Sequence, residues 1–304
     1  MKKKILILGG GISKERQISL ETAKQVKKAL KKKYRVLQSD LDKNFETKLK
    51  LFKPEVVFNA LHGRFGEDGY TQTILEYNKV KYTHSGVLSS ALAMDKIASK
   101  KIFNDNNLLT PKFIKYNNNL KVNSILKNKI KKKLKFPVVI KPINEGSSVG
   151  VYISNEKNLK KNLIKLKKYR EVIIEEFING REIQVAILGK KKLGAIELKP
   201  KRKFYDFKAK YDVKSKTEHI IPVDLTKKNL SKVLNIALKA HKLLKCRGIT
   251  RSDFKFFKNK FYLLELNTQP GMTKLSLVPE IAAYKGMNFY DLLEWILNDA
   301  SINR

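Results

Sequence analysis

The sequence carries a single cysteine, Cys246, which excludes an intramolecular disulfide framework and a zinc site built on several thiolates. Glycine and proline number only 15 and 8, which excludes a collagen-like or low-complexity chain. No apolar run approaches the roughly 18 residues that span a bilayer, so no membrane partner is expected. Lys2-Lys3-Lys4 ahead of ILILGG imitates the start of a secretion signal. The apolar stretch is too short, however, and Ser13-Lys14-Glu15-Arg16 stands where a small-residue cleavage site belongs, so the expected location is cytoplasmic.

Acidic residues are also few: 28 Asp and Glu face 65 Lys and Arg, a formal net charge of +37 over 304 residues. Such an excess ordinarily points to a polyanionic partner. Only nine of the basic residues are arginine, though, and recognition of phosphates and bases favours the guanidinium fork. The lysines are scattered apart from runs such as Lys31 to Lys33 and Lys127 to Lys135, and no nucleic-acid motif accompanies them. They are read as solvated surface, and no nucleic-acid partner is expected. With 42% hydrophobic residues, the length suffices for two or three packed domains.

The first ninety residues alternate strand and helix patterns: strands at 4–8, 34–38, 55–59 and 81–84, helices at 15–32, 71–77 and 89–104. This alternation implies an α/β fold with a parallel, Rossmann-like sheet, whose ligands sit beyond the carboxyl ends of the strands. Gly9-Gly10-Gly11 and His62-Gly63 fall there. Lys14 breaks the G-x-G-x-x-G pattern, so a nicotinamide-dependent reading is weak. A Lys/Asn-rich stretch at 116–135 separates this part from a β-rich middle, with strands at 137–141, 150–154, 171–177, 182–188 and 194–198. A patternless segment at 199–216 has the length of a lid or binding loop. A helix at 227–245, strands at 249–257 and 260–267, and helices near 276–284 and 288–298 complete the chain.

Two local patterns carry chemistry. On the strand 260–267, Glu265 and Asn267 share a face, and Asp253 comes from the neighbouring strand. Three oxygen donors of this kind suit a hard cation such as Mg2+. In Lys141-Pro142-Ile143-Asn144-Glu145-Gly146-Ser147-Ser148-Val149-Gly150, a lysine ends a buried strand and a Gly/Ser hairpin follows. The hairpin amides can cradle phosphate oxygens while the lysine supplies charge. It is not the P-loop pattern, and no helix is expected after it.

Taken in order, the motifs resemble those of the D-alanine–D-alanine ligases of the ATP-grasp superfamily over nearly the whole chain. The matching blocks are Gly9-Gly10 with Ser13 to Leu20, His62-Gly63 through Glu67-Asp68-Gly69, Ser85-Gly86-Val87 with Met94-Asp95-Lys96, and Lys141-Pro142 with Glu145 to Gly150. They continue with Phe204 to Tyr211, Arg251-Ser252-Asp253-Phe254, and Leu264 to Thr273 with Ser276 to Pro279.

The resemblance implies an α/β protein with an N-terminal parallel Rossmann-like (pre-ATP-grasp) domain at 1–95 and a two-part α+β ATP-grasp domain. The two parts would be a central subdomain at 96–182 and a catalytic one at 183–304 with a mobile loop at 199–216. It implies ATP-dependent joining of two D-alanines through an acyl phosphate, for peptidoglycan precursors, with ATP and two Mg2+ ions (Mn2+ as a substitute). D-alanine and ATP would be the partners, and the state a homodimer.

Residue by residue, Lys96 and Lys141 would hold ATP phosphates, Lys210 the transferred phosphoryl group, and Asp253, Glu265 and Asn267 the metal. Arg251 would stabilise the acyl phosphate and the oxyanion. Glu15, with Ser147 and Tyr211, would bind the first D-alanine's ammonium, and His62 would lie near its carboxylate. Ser276 and the Leu277 backbone would hold the second carboxylate. Glu175, Glu176, Phe177 and Ile178 would form the adenine hinge, with Glu182 toward the ribose. Lys210-Tyr211 follows the dipeptide-forming pattern, not that of members using D-lactate. His84 and Thr73 stand where the family usually has glycine, and a bulky His84 is expected to disturb its turn.

Overall fold

A computed structural model describes residues 2–200, 217–273 and 276–303. The segment ILILG is apolar on both sides of its chain, which suits a strand covered on both faces of a parallel sheet. It forms the centre of the first sheet. The strands β1 (Lys4–Leu8), β2 (Arg35–Ser39), β3 (Val56–Asn59) and β4 (Lys81–Tyr82) pair in parallel in the order β2-β1-β3-β4. Alternation sorts β1 between two cores. Ile5 and Ile7 pack with α1 (Arg16–Leu30) residues Ala23, Val26 and Leu30, whereas Leu6 and Leu8 pack with Leu49 of α2 (Phe45–Phe52) and Leu75 of α3 (Tyr70–Tyr77).

The helix expected at 89–104 is two helices. Asp95 takes extended dihedrals and caps the second through Ile97 N at 2.8 Å and Ala98 N at 2.9 Å. The first is α4 (Val87–Met94) and the second α5 (Lys96–Asp105), so the break sets Lys96 at a helix start instead of mid-helix. Thr73 sits in α3 with Oγ1 donating to Gly69 O at 2.9 Å, an ordinary helical position that needs no glycine.

The second sheet is antiparallel, in the order β5-β8-β6-β7, from β5 (Phe113–Asn117), β6 (Val138–Pro142), β7 (Tyr152–Ser154) and β8 (Glu171–Glu176). The Lys/Asn-rich stretch is not a plain separator, because it contains the end of β5 and the helix α6 (Ser124–Lys133). Asn123 caps that helix, and it buries only Leu126 and Ile130, one turn apart. A second short helix, α7 (Leu159–Lys165), precedes β8.

The third sheet has the order β11-β10-β9-β12-β13, from β9 (Arg181–Leu188), β10 (Lys191–Lys199), β11 (Glu218–Ile220), β12 (Ile249–Phe257) and β13 (Lys260–Asn267). Helix α8 (Lys227–Leu243) covers one face through Val233, Ala237 and Ala240. On the other, α9 (Leu277–Tyr284) and α10 (Phe289–Asn298) tie this sheet to the first. Leu292, Ile296 and Ile281 share one core with Ile5, Phe58, Ala186 and Ile196. The expected loop at 199–216 contributes Lys199 to the end of β10, and residues 201–216, including Lys210 and Tyr211, lie outside the described residues.

Candidate active site

Two cavities meet between the sheets. The first, about 310 Å³, falls within the size range of small-molecule sites. It is lined by Glu15, His62, Ser147, Arg251, Asn267, Ser276 and Leu277. The second is lined by Lys141, Glu175, Glu176, Phe177, Ile178, Glu182 and Asp253. Lys96, Glu145 and Glu265 border both. Every sequence-derived site residue among the described residues therefore lines one cavity or the other.

In the first cavity, Ser147 donates its hydroxyl to the Glu15 carboxylate, joining the start of α1 to the Gly146–Gly150 hairpin. That hairpin holds Ser147 at φ 48° and Ser148 at φ 59°, left-handed values that non-glycine residues adopt at a cost. A Cβ on Gly146 would lie 2.9 Å from Glu15 Oε2, so glycine there is what lets the carboxylate approach. No helix follows the hairpin; β7 does.

His62 is buried, with Nε2 3.2 Å from Thr22 Oγ1 and Nδ1 3.2 Å from Glu67 Oε1. Burial pushes its pKa down. The Glu67 hydrogen bond and the charges of Glu67 and Glu15 outweigh burial, and the net direction is upward. Ser276 stands at the start of α9 with its Oγ accepting from Thr273 N at 3.0 Å, and Ser276 and Leu277 both line the cavity.

In the second cavity, Glu175 of the expected hinge lies in the wall. It is buried between two ammonium groups, Lys141 Nζ at 2.8 Å and Lys100 Nζ at 3.1 Å. Glu182 is held by Lys255 Nζ at 2.9 Å. Between the cavities, Lys96 donates to Glu145 O at 2.6 Å and lies 3.4 Å from Glu265.

The register pairs Asp253 with Glu265 and Arg251 with Asn267 across β12 and β13. An all-oxygen set of two carboxylates and one amide fits Mg2+ better than a softer metal. No group of three His, Cys, Asp or Glu placed to hold a metal occurs among the described residues; here the third donor is the amide of Asn267, whose Oδ1 accepts from Gln269 N at 2.7 Å. Arg251 forks onto Asp253 with Nε–Oδ1 2.8 Å and NH2–Oδ2 3.1 Å, so a cation at Asp253 would share or displace that guanidinium.

Sequence reasoning missed Lys100 as a site residue, and it named Glu67 only within its motif. For Glu67 the spacing His62 to Glu67 across a glycine-rich loop was an available signal. For Lys100 the only signal was its place one turn after Lys96 on the same helix.

Lys141 of the second sheet and Lys96 of α5, set against Asp253 and Glu265 of the third, with both sheets antiparallel, define an ATP-grasp enzyme. Residues 102–298 match the family described as D-ala D-ala ligase C-terminus. The whole chain is 65% identical to the D-alanine–D-alanine ligase of Pelagibacter ubique HTCC1062, covering 100% of both. It is 45% identical to that of Wolbachia pipientis wMel over 97% of this chain and 94% of the relative. The crystal structure of the Bacillus anthracis D-alanine–D-alanine ligase complexed with ATP superposes with a TM-score of 0.85 at 30% identity, covering 98% of this chain and 97% of that one. The chain belongs to the D-alanine–D-alanine ligase family.

Proposed function

We propose that this protein joins two D-alanines to D-alanyl-D-alanine using ATP, supplying the dipeptide of peptidoglycan precursors. The observation that carries this reading is the junction of the two cavities at Lys96 and Glu265, which would bring a carboxylate in one within reach of a phosphoryl group in the other.

In the first step the carboxylate of one D-alanine attacks the γ-phosphorus, and ADP leaves. The amine of the second D-alanine then attacks the acyl phosphate carbon, giving up a proton, and inorganic phosphate departs. Both steps gather negative charge on oxygen, so fixed cations supply much of the stabilisation. Lys96 and Lys141 would hold the phosphates, Lys210 the group in transfer, and Arg251 the acyl phosphate and tetrahedral oxyanion.

Glu15, oriented by the Ser147 hydroxyl and joined by Tyr211, would take the first ammonium, and His62 the adjacent carboxylate. Ser276 and the Leu277 amide would take the second carboxylate. Glu176, Phe177 and Ile178 would face the adenine, with Glu175 behind them and Glu182 toward the ribose. Asp253, Glu265 and Asn267 would hold Mg2+, or Mn2+ in its place, two ions in all, which would supply neutralisation of phosphate charge.

No helix among the described residues is long and apolar enough to cross a membrane. The enzyme would act in the cytoplasm as a homodimer. Incubation with D-alanine and Mg-ATP, followed by mass spectrometry, is expected to yield D-alanyl-D-alanine and ADP in equal amounts. Absence of the dipeptide would overturn the assignment.

A further inference from the structure

Lys100 is the most enclosed cation of the described residues, with 0% of its surface exposed, and it lines neither cavity. It projects from α5, one turn beyond Lys96, onto Glu175 of β8. Glu175 uses its two carboxylate oxygens separately, Oε1 facing Lys100 at 3.1 Å and Oε2 facing Lys141 at 2.8 Å. The Lys100 contact lies off the hydrogen-bonding direction, and neither Lys100 Nζ nor Glu175 Oε1 has a hydrogen bond among the described residues. The pair is held by charge and enclosure.

Three buried charges of this kind sum to one positive charge. If Lys100 were absent, the sum would be zero, and Lys141, the member at the cavity wall, would be fully compensated by Glu175. Leaving a buried carboxylate with half its partners would also draw it closer to the remaining ammonium.

We infer that Lys100 is a positioning residue for the nucleotide: by holding Glu175 Oε1 it keeps Lys141 in place with a net positive charge for an incoming phosphate, without touching the nucleotide itself. The inference rests on the ATP-site reading given above. Burial brings the Lys100 ammonium down to about 8, against the opposing pull of Glu175, so it remains largely charged at neutral pH. Burial pushes Glu175 up, but the two lysines outweigh it and hold the carboxyl below its ordinary value. The triad is thus ionised throughout.

The test compares Lys100→Met, Lys100→Gln and Lys100→Arg with the unaltered enzyme. The readouts are ATP KM, kcat, and the affinity for a non-hydrolysable ATP analogue measured without turnover. Lys100→Met is expected to raise both KM for ATP and the analogue Kd about tenfold with kcat within about twofold, and Lys100→Arg to keep most of the affinity. Lys100→Gln, which keeps a hydrogen-bond donor toward Glu175 but no charge, is expected to lose affinity as Lys100→Met does.

An unchanged Kd in Lys100→Met, a loss confined to kcat, or a Lys100→Arg variant no better than Lys100→Met would overturn the inference. If Lys100→Met does not fold, Lys100→Gln decides, and an unchanged Kd there counts against it. Failure of the unaltered protein to bind the analogue would instead remove the ATP-site reading.

Discussion

His62 Nδ1 lies 3.2 Å from Glu67 Oε1, and both side chains are buried at the wall of the first cavity. Burial works against the imidazolium, yet the hydrogen bond and charge of Glu67, helped by Glu15, raise the His62 pKa above its ordinary value. A raised folded-state pKa contributes stability that is complete below about pH 6.5 and lost as the pH rises through the folded value. In the proposed reaction the same proton would attract the substrate carboxylate. Glu67→Gln is therefore expected to lower the His62 pKa, followed by NMR titration, and to shift the rise in D-alanine KM to lower pH. An unchanged titration would show that Glu67 does not set the charge of His62.

His241 has the opposite sign. It is a buried residue of α8 with Nδ1 2.8 Å from Thr250 Oγ1, and burial brings its pKa down to about 4. The unfolded chain, with an ordinary histidine, binds the proton first, so stability falls as the pH drops from about 6.5 toward 4. From pH 7 to pH 5 this one group is expected to remove about 2 kcal/mol. Denaturant midpoints for the unaltered protein and His241→Asn at the two pH values check it. The variant is expected to lose less stability on acidification, and equal losses would contradict the assignment.

How much of this was legible beforehand follows from how far each signal reaches along the chain. The strands β12 and β13 match their expected bounds, because alternating residues and a two-residue turn define a hairpin locally. Glu265 and Asn267 on one face followed from the same alternation, and the register with Asp253 agrees with it. The break at Asp95 was hidden because its neighbours on both sides favour helix, and only the cap bonds to Ile97 and Ala98 reveal it. Helix α6 was hidden because it buries only Leu126 and Ile130, and lysines fill much of the rest of its length. Lys100 could not be told from dozens of other lysines, since its burial against Glu175 depends on a strand some seventy-five residues later in the chain.

Glu265 offers the sharpest chemical test of the proposed metal set. It borders both cavities, pairs across the strands with Asp253, and sits 3.4 Å from Lys96. Glu265→Gln keeps the shape and one oxygen donor but removes the charge that a hard cation requires. ADP release is expected to fall at least about a hundredfold at ordinary Mg2+ and to recover in part as Mg2+ is raised. Mn2+ binding followed by electron paramagnetic resonance in the presence of ATP is expected to weaken in parallel. A loss of turnover with undiminished Mn2+ binding would assign Glu265 to substrate placement instead.

His84 was expected to disturb its turn, and the turn accommodates it at a cost. The residue takes φ 71°, a left-handed value, and is 1% exposed. Its ring meets Phe58 edge-on at 5.5 Å between centroids, and Nδ1 lies 2.8 Å from Thr83 Oγ1. Glycine would relieve roughly 1 kcal/mol of backbone strain. It would forfeit about 0.5–1.5 kcal/mol of aromatic contact, leave a cavity, and lose about 0.5–1 kcal/mol to greater freedom in the unfolded chain. The losses exceed the gain, so His84→Gly is expected to destabilise by about 1–2 kcal/mol despite the favourable dihedral. His84→Ala loses the same ring and keeps the strain but escapes the entropic loss, so it is expected to be less stable than His84→Gly by no more than about 0.5 kcal/mol. Urea denaturation of the three proteins measures both differences, and an alanine variant clearly more stable than the glycine variant would mean that the left-handed backbone costs less than glycine's added freedom in the unfolded chain.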